Sequence, residues 1–248
     1  MSGHNKWSTI KHKKEKTDAA RGKIFTKIGR EIAIAVREGG PDPSTNNKLK
    51  DVVAKAKANN MPNDNIQRSI KKAAGEGEGA NYKEVTYEGY APGGVAVIVE
   101  VVTDNLNRTA SEIRHIFDKC GGSLGSNGCV SYKFERKGVI EIDNEKGLDE
   151  DELMNLALEA GADDVEASED SAIFYTDPND LSEVRDNLEN AGCTFLSVER
   201  QMVPSMTNEI TDPELAAKVQ KLIDWLDDYD DTQAVYHDAE LPEEEEEE

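Results

Sequence analysis

The sequence predicts an α+β multidomain protein: an N-terminal three-helix domain followed by two α/β domains, the last ferredoxin-like and inserted into the second. Three observations carry this. Apolar residues recur at helical spacing from Ile24 to Ala73, the period becomes extended at Val85, and beyond Val139 the segments run β-α-β-β-α-β. A chain of 248 residues with 37% apolar content has enough material for several cores.

From Thr17 to Glu38, Ile24, Phe25, Ile28, Ile32, Ala35 and Val36 share one arc of about 120°, the width of a core-facing stripe. Lys16, Lys23, Lys27 and Arg30 project from the opposite side. Gly39-Gly40-Pro41 ends this helix, since glycine accepts the left-handed cap and proline cannot continue the ladder. Leu49, Val52, Val53 and Ala56 mark a second helix beside Lys48, Lys50, Lys55 and Lys57, running to Asn59-Asn60. Met61-Pro62 breaks the pattern, and Asn63 is placed to cap a third helix carrying Ile66, Ile70 and Ala73. The glycine-rich run from Gly75 to Gly79 reads as a flexible link.

Val85 to Tyr90 and Val95 to Val102 read as a hairpin joined by Ala91-Pro92-Gly93-Gly94. That loop lacks the spacing and lysine of a phosphate-binding loop, and a strand follows it. Thr109-x-x-Glu112 has the form of a capping box opening a helix with Ala110, Ile113, Ile116 and Phe117 on one face, which Gly121-Gly122 terminates. The regular unit then comprises strand Val139 to Ile142, helix Asp149 to Ala160, strands Val165 to Ala167 and Ala172 to Tyr175, helix Leu181 to Ala191, and strand Thr194 to Val203. Thr211-Asp-Pro-Glu214 opens a last helix through Leu215, Val219, Leu222, Ile223 and Leu226, and Val235-Tyr236-His237 returns as a strand. A hairpin and helix before the regular unit, with a helix and strand after it, imply an insertion. The expected domains are 1–75, 82–130 together with 204–240, and the insert 131–203, with 241–248 as a disordered acidic tail.

Charge is divided along the chain. The net charge is -22, yet residues 1–72 carry +10 and residues 138–248 carry -30. Lys6, Lys11, His12, Lys13, Lys14, Lys16, Arg21, Lys23, Lys27 and Arg30 fall within 25 positions, opposed in that stretch only by Glu15 and Asp18. Lysine-rich helices are often plain solvated faces, but a block this dense repels itself unless an anion neutralises it. Trp7 among these cations offers either a plane for stacking on unpaired bases or an anchor that pins the N-terminal arm. The candidate nucleic-acid-binding set is therefore Trp7 together with those ten residues, while the acidic remainder is expected to stay clear of a polyanion.

Other function classes lack support. The start MSGHNKWSTIKHKK has no apolar run of signal-peptide length, and Val95 to Val99 is far too short to cross a bilayer, so a cytoplasmic protein without membrane partners is expected. Cys120, Cys129 and Cys193 fit neither a disulfide framework nor a zinc site. His4, His12, His115 and His237 are scattered, His115 on a packed helix, and no serine sits in a nucleophile elbow. The run Asp224, Asp227, Asp228, Asp230 and Asp231 reads as a solvated acidic stretch and not a Mg²⁺ site. No enzyme activity, cofactor, metal or small-molecule substrate is expected.

Gly3-His-Asn-Lys-Trp7, Arg21-Gly-Lys-Ile-Phe-Thr-Lys27, Asn60-Met-Pro-Asn63, Tyr87-Glu-Gly-Tyr-Ala-Pro-Gly-Gly94, Asp104-Asn-Leu-Asn-Arg-Thr109, Lys119-Cys-Gly-Gly122 and Lys137-Gly-Val139 together closely resemble the YebC family. The resemblance spans Met1 to about His237 and leaves the hexaglutamate tail outside the family pattern. It implies three domains with the third inserted into the second. It also implies a regulator of gene expression, of which two forms are described: a DNA-binding transcriptional regulator, and a ribosome-associated factor that relieves stalling at proline-rich stretches. The partner is then duplex DNA or ribosomal RNA. The second and third helices loosely resemble a helix-turn-helix, though no dimer seam sets a half-site spacing. A protein-interaction module built on the acidic ferredoxin-like domain is a third class.

Overall fold

The computed structural model describes residues 18–75, 82–144, 147–168 and 170–242. The helical domain is α1 (Asp18–Gly39), α2 (Asn47–Ala58) and α3 (Asn63–Ala74). Helix α1 is the centre of the packing: α2 and α3 each lie along it and touch one another only slightly. Ile28, Ile32, Ala35 and Val36 from α1 meet Leu49, Val52, Ala56, Met61, Ile66 and Ile70, with Ile24 and Phe25 at the margin. Each Ile, Leu, Val or Met among them contributes about 1.5–3 kcal/mol when fully buried.

Asn46 locks the turn between α1 and α2. Its Oδ1 accepts the Leu49 N–H at 3.0 Å as the N-cap, while its Nδ2 donates to the carbonyls of Ala35 and Gly40 at 2.7 and 2.8 Å. A Cβ on Gly39 would stand 2.6 Å from Asn46 Cγ, so this glycine is required for close approach. The third helix starts differently from expectation. Asn63 is its first helical residue, and Pro62 occupies the cap position without a side-chain cap. The Pro62 carbonyl instead receives the N–H groups of Asn65 and Ile66, and the ring pre-sets the backbone entering the helix.

The second domain is built on the strands β1 (Lys83–Tyr90), β2 (Ala96–Thr103), β3 (Ser123–Leu124) and β9 (Thr232–His237), in the order β3-β1-β2-β9. Helices α4 (Leu106–Lys119) and α7 (Pro213–Asp228) pack beside each other and against this sheet. Strand β2 is central and buried along nearly its whole length, as its Val- and Ile-rich composition requires. Two short strands, β8 (Asn208–Glu209) and β10 (Ala239–Glu240), form a separate parallel pair.

Helix α4 begins three residues before the Thr109 capping box that the sequence suggests. Asn105 caps it, accepting the Arg108 N–H at 3.1 Å, and Thr109 is fully buried. The Thr109 hydroxyl points to Asp231 at 2.7 Å, a long-range partner that displaces the local pattern.

Between β3 and β8 in the chain lies the ferredoxin-like domain: β4 (Phe134–Asp143), α5 (Glu150–Ala160), β5 (Asp164–Ala167), β6 (Ser171–Thr176), α6 (Leu181–Asn190) and β7 (Phe195–Pro204). Its sheet order is β5-β6-β4-β7, all neighbours antiparallel, the split β-α-β arrangement. Ile140, Ile142, Ala172 and Phe174 meet Leu153, Ala157, Leu181, Val184 and Leu188 from the helices. A complete capping box between Asp149 and Glu152 starts α5, and Gly161 ends it in the left-handed conformation. The fold is therefore α+β and multidomain, with the ferredoxin-like domain inserted into the second.

Candidate nucleic-acid interface

Of the sequence-predicted set, Lys6, Trp7, Lys11, His12, Lys13, Lys14 and Lys16 lie outside the described residues. Arg21 is exposed at the start of α1. Lys23, Lys27 and Arg30 share one face of α1, as the 4- and 3-residue steps dictate. That face is only partly open to solvent. It meets the end of α7 and the turn into β9.

Lys23 Nζ donates to Asp228 Oδ1 at 2.8 Å, and Lys27 Nζ donates to the Asp227 carbonyl at 3.0 Å with Asp227 Oδ1 at 3.4 Å. Arg30 donates to the Asp230 carbonyl and pairs with Asp231 Oδ1 at 3.1 Å. The side chains of Lys27 and Arg30 retain only 17% and 16% of their exposure, whereas Lys23 keeps 46%. Helix α7 has no basic residue in its own last turn, so the cations of α1 also meet the negative end of its dipole. The run from Asp224 to Asp231 is thus not a merely solvated stretch. Ile34 gives the seam away: it shares this polar face at the next helical step, yet is 1% exposed and stands outside the helical domain's core.

Asp231 anchors the seam. Its Oδ2 receives the Thr103, Thr109 and Tyr229 hydroxyls at 3.1, 2.7 and 3.1 Å and the Arg108 guanidinium at 2.9 Å. Burial alone would raise this carboxyl, but the donors from Arg108, Thr109, Thr103 and Tyr229 outweigh it and hold the pKa below the ordinary aspartate value. Arg30 further lies 5.8 Å from the Tyr82 ring, and Arg37 donates to the Tyr82 carbonyl at 2.6 Å. On α2, Lys48 pairs with Glu38 at 3.1 Å and Glu84 at 3.0 Å, and Lys55 with Glu31 at 3.1 Å.

A different group of cations is left to solvent. Lys50 and Lys57 on α2, and Arg68, Lys71 and Lys72 on α3, are exposed, and none has an acidic partner among the described residues. Lys50 and Lys57 are seven residues apart and share one face of α2. Arg68, Lys71 and Lys72 share one face of α3. The sequence already shows these lysines, but only the packing separates them from their paired neighbours. The Asn60 backbone between the two helices is left-handed, with φ of 56°. Because α2 and α3 hardly touch, their arrangement departs from a helix-turn-helix, in which the recognition helix packs on its partner.

Residues 5–76 match the TACO1/YebC protein N-terminal domain, and residues 82–239 match the TACO1/YebC second and third domain. The chain belongs to the TACO1/YebC family. A protein of Acetivibrio thermocellus named "Probable transcriptional regulatory protein" is 60% identical over 237 residues, covering 96% of this chain and 98% of that one. A protein of the same name from Ruminiclostridium cellulolyticum is 58% identical over the whole of both chains. The crystal structure of a conserved hypothetical protein from Aquifex aeolicus superposes with a TM-score of 0.84 at 51% identity, covering 93% of this chain and 95% of that one.

Two of the motifs that resemble the TACO1/YebC family now have physical roles. The run Asp104 to Thr109 supplies the cap Asn105 and the Asp231 donors Arg108 and Thr109. In the run Tyr87 to Gly94, Glu88 is a buried carboxylate that accepts the N–H groups of Gly128, Val130 and Ser131 at 2.8, 2.9 and 2.9 Å. The first motif fixes the Asp231 carboxylate, and the second holds the backbone from Gly128 to Ser131. His115 is on the exposed side of the packed helix α4, and Cys120, Cys129 and Cys193 are free thiols. No group of three or more His, Cys, Asp or Glu side chains forms a metal-ion site among the described residues. No helix among them is long and apolar enough to cross a membrane.

Proposed function

We propose that this protein is a non-enzymatic, nucleic-acid-binding regulator of gene expression, and that its helical domain carries the contact. The observation behind this reading is the set of exposed, acid-free cations on α2 and α3, which follow the basic segment Lys6 to Lys16 within the same N-terminal stretch of net positive charge. Phosphates neutralise such a surface and release counterions, so binding depends steeply on salt. The relatives' name favours transcription and duplex DNA as the target. The domain boundaries taken for this reading are 1–75 for the binding domain and 131–203 for the insert.

Arg68→Ala, Lys71→Ala and Lys72→Ala together should weaken binding to DNA and RNA alike. The slope of log affinity against log salt should flatten by about one for each phosphate that is no longer neutralised. With about six phosphates engaged, the parent should lose on the order of 10³-fold affinity between 50 and 200 mM salt. A folded triple variant with parental affinity and slope would refute the helical-domain reading.

Translation is the second reading, favoured by Trp7 amid Lys6, Lys11, Lys13 and Lys14. Stacking on an unpaired base is worth about 1–3 kcal/mol, and a backbone-bound duplex conceals its base faces. Trp7→Ala should therefore weaken binding to ribosomal RNA but not to duplex DNA if the target is a ribosome. Equal affinity of parent and variant for every RNA favours the DNA-binding regulator.

A further inference from the structure

The face of α1 that the acids cover has the composition of a phosphate-binding surface. Lys23 and Lys27 stand one turn apart beside a cleft lined by Gly22, Lys23, Thr26, Lys27, Asp228 and Asp230. Gly22 has no packing reason to be glycine, since a Cβ there would meet nothing within 4 Å. A glycine within an exposed helix destabilises that helix relative to alanine. What its missing side chain provides is an open floor, where a sugar-phosphate backbone can approach the helix closely.

The acids over this face are not equivalent. Asp231, with 4% of its side chain exposed, is held by four donors of the second domain besides Arg30. Asp227 and Asp228 keep 38% and 77% exposure, and each meets α1 only through a lysine ammonium. The Lys23–Asp228 pair lies in solvent and the Lys27–Asp227 pair is only part-buried, so each contributes less than the inner pair and a competing polyanion can displace them. The inner pair is desolvated and fixed.

We propose that Asp227 and Asp228 form an acidic clasp that occupies phosphate positions on Lys23 and Lys27, so that nucleic acid must displace it to engage α1. The proposal rests on the helical-domain reading above and adds its regulation. Weak or brief encounters use α2 and α3 alone. A nucleic acid long or dense enough in charge also opens the clasp, while Arg30 and Asp231 keep the two domains joined. The clasp thereby sets a threshold that discriminates against short, sparsely charged ligands.

The test is the Asp227→Asn, Asp228→Asn double variant of the full chain, with 25-nucleotide single-stranded RNA and a 25-base-pair DNA duplex as probes. Affinity at 50 mM salt should rise about tenfold, and the salt slope should steepen by about one, as Lys23 loses its carboxylate and becomes able to replace a counterion while the Asp227 carbonyl still holds Lys27. A control with equal change in charge, Glu159→Gln and Glu189→Gln on exposed positions of α5 and α6, should gain less than about twofold, because neither glutamate covers a cation of α1 among the described residues. Adding Lys23→Gln and Lys27→Gln to the double variant should return the affinity to the parental value. Gly22→Leu should remove the same gain by filling the cleft floor.

Equal gains in the control and clasp variants would show general repulsion and overturn the clasp. No gain, or a gain that survives Lys23→Gln and Lys27→Gln, would overturn it as well. These outcomes leave the helical-domain reading intact, provided the α2 and α3 cations still govern parental binding. If neither parent nor double variant binds either probe, both proposals fall.

Discussion

The acids of the second domain and the acids on the helices of the inserted domain look alike in sequence, and the structure uses them in opposite ways. Glu88 and Asp231 are buried and receive several donors each, and Asp227 and Asp228 face the lysines of α1. Asp151, Glu159, Glu183 and Glu189 on α5 and α6 are exposed. Acid content therefore says little about acid function. What separates the two groups is whether the topology delivers donors to the carboxylate, because desolvating it without them costs several kcal/mol.

The largest effect that sharpens this contrast is expected at Asp231. Asp231→Ala takes one buried carboxylate at once from Arg30, Arg108 and the Thr103 and Thr109 hydroxyls, and should cost about 3–5 kcal/mol in urea unfolding. A loss below about 1 kcal/mol would erase the distinction between the two groups. Glu88→Gln comes next, at about 1–3 kcal/mol, since one amide oxygen cannot replace a carboxylate shared by three N–H groups.

Acid titration gives the same comparison a direction. Burial alone would raise the Glu88 carboxyl, but the Gly128, Val130 and Ser131 N–H groups hold it below the ordinary value of 4.5. The unfolded chain then binds more protons as pH falls. The stability due to Glu88 is fully present above its unfolded pKa and is lost as pH drops through its folded one. Stability curves measured from pH 7 to pH 3 should fall less steeply in the Glu88→Gln variant than in the parent. Parallel curves would show that Glu88 does not titrate differently in the folded state.

Smaller effects complete the series within the inserted domain. Asp149→Ala removes the capping box of α5 and should cost about 1 kcal/mol, which a urea midpoint resolves. Glu159→Gln and Glu189→Gln should each stay within about 0.5 kcal/mol of the parent. A larger loss at either exposed glutamate would show that the inserted domain also relies on engaged acids.

Periodicity made most of the fold legible. The six apolar positions on α1, the Ala-Gly ends of α5 and α6, and Asp212-Pro213 before α7 are local signals, and each element lies where its signal stands. The two failures differ in cause, one a long-range partner and the other a neighbouring carbonyl. Thr109 reads as a cap because Glu112 follows at the right spacing, but its hydroxyl serves a carboxylate 122 residues away. Asn63 reads as a cap by residue type, whereas the Pro62 carbonyl already accepts the first helical N–H groups. The site was half visible because long-range partners also decide which cations are paired. Residue type marks every lysine of the helical domain, but ion pairs engage Lys23, Lys27, Lys48 and Lys55 and leave Lys50, Lys57, Lys71 and Lys72 without an acidic partner among the described residues. Ile34 was the available clue, an apolar residue on a charged face that has a second surface to bury.

The place of β9 has a consequence for synthesis. Strand β2 needs β9 as its neighbour, with Val99 opposite Val235, so its edge remains open until the whole inserted domain has been made. The ferredoxin-like domain is contiguous and can close while the sheet around it waits. Asp231 emerges later still than that domain, so the helical domain completes its own core before the residue that will hold Arg30 has left the ribosome. The order of translation thus leaves the cations of α1 uncovered throughout most of the chain's elongation, and the last turn to be made is the one that covers them.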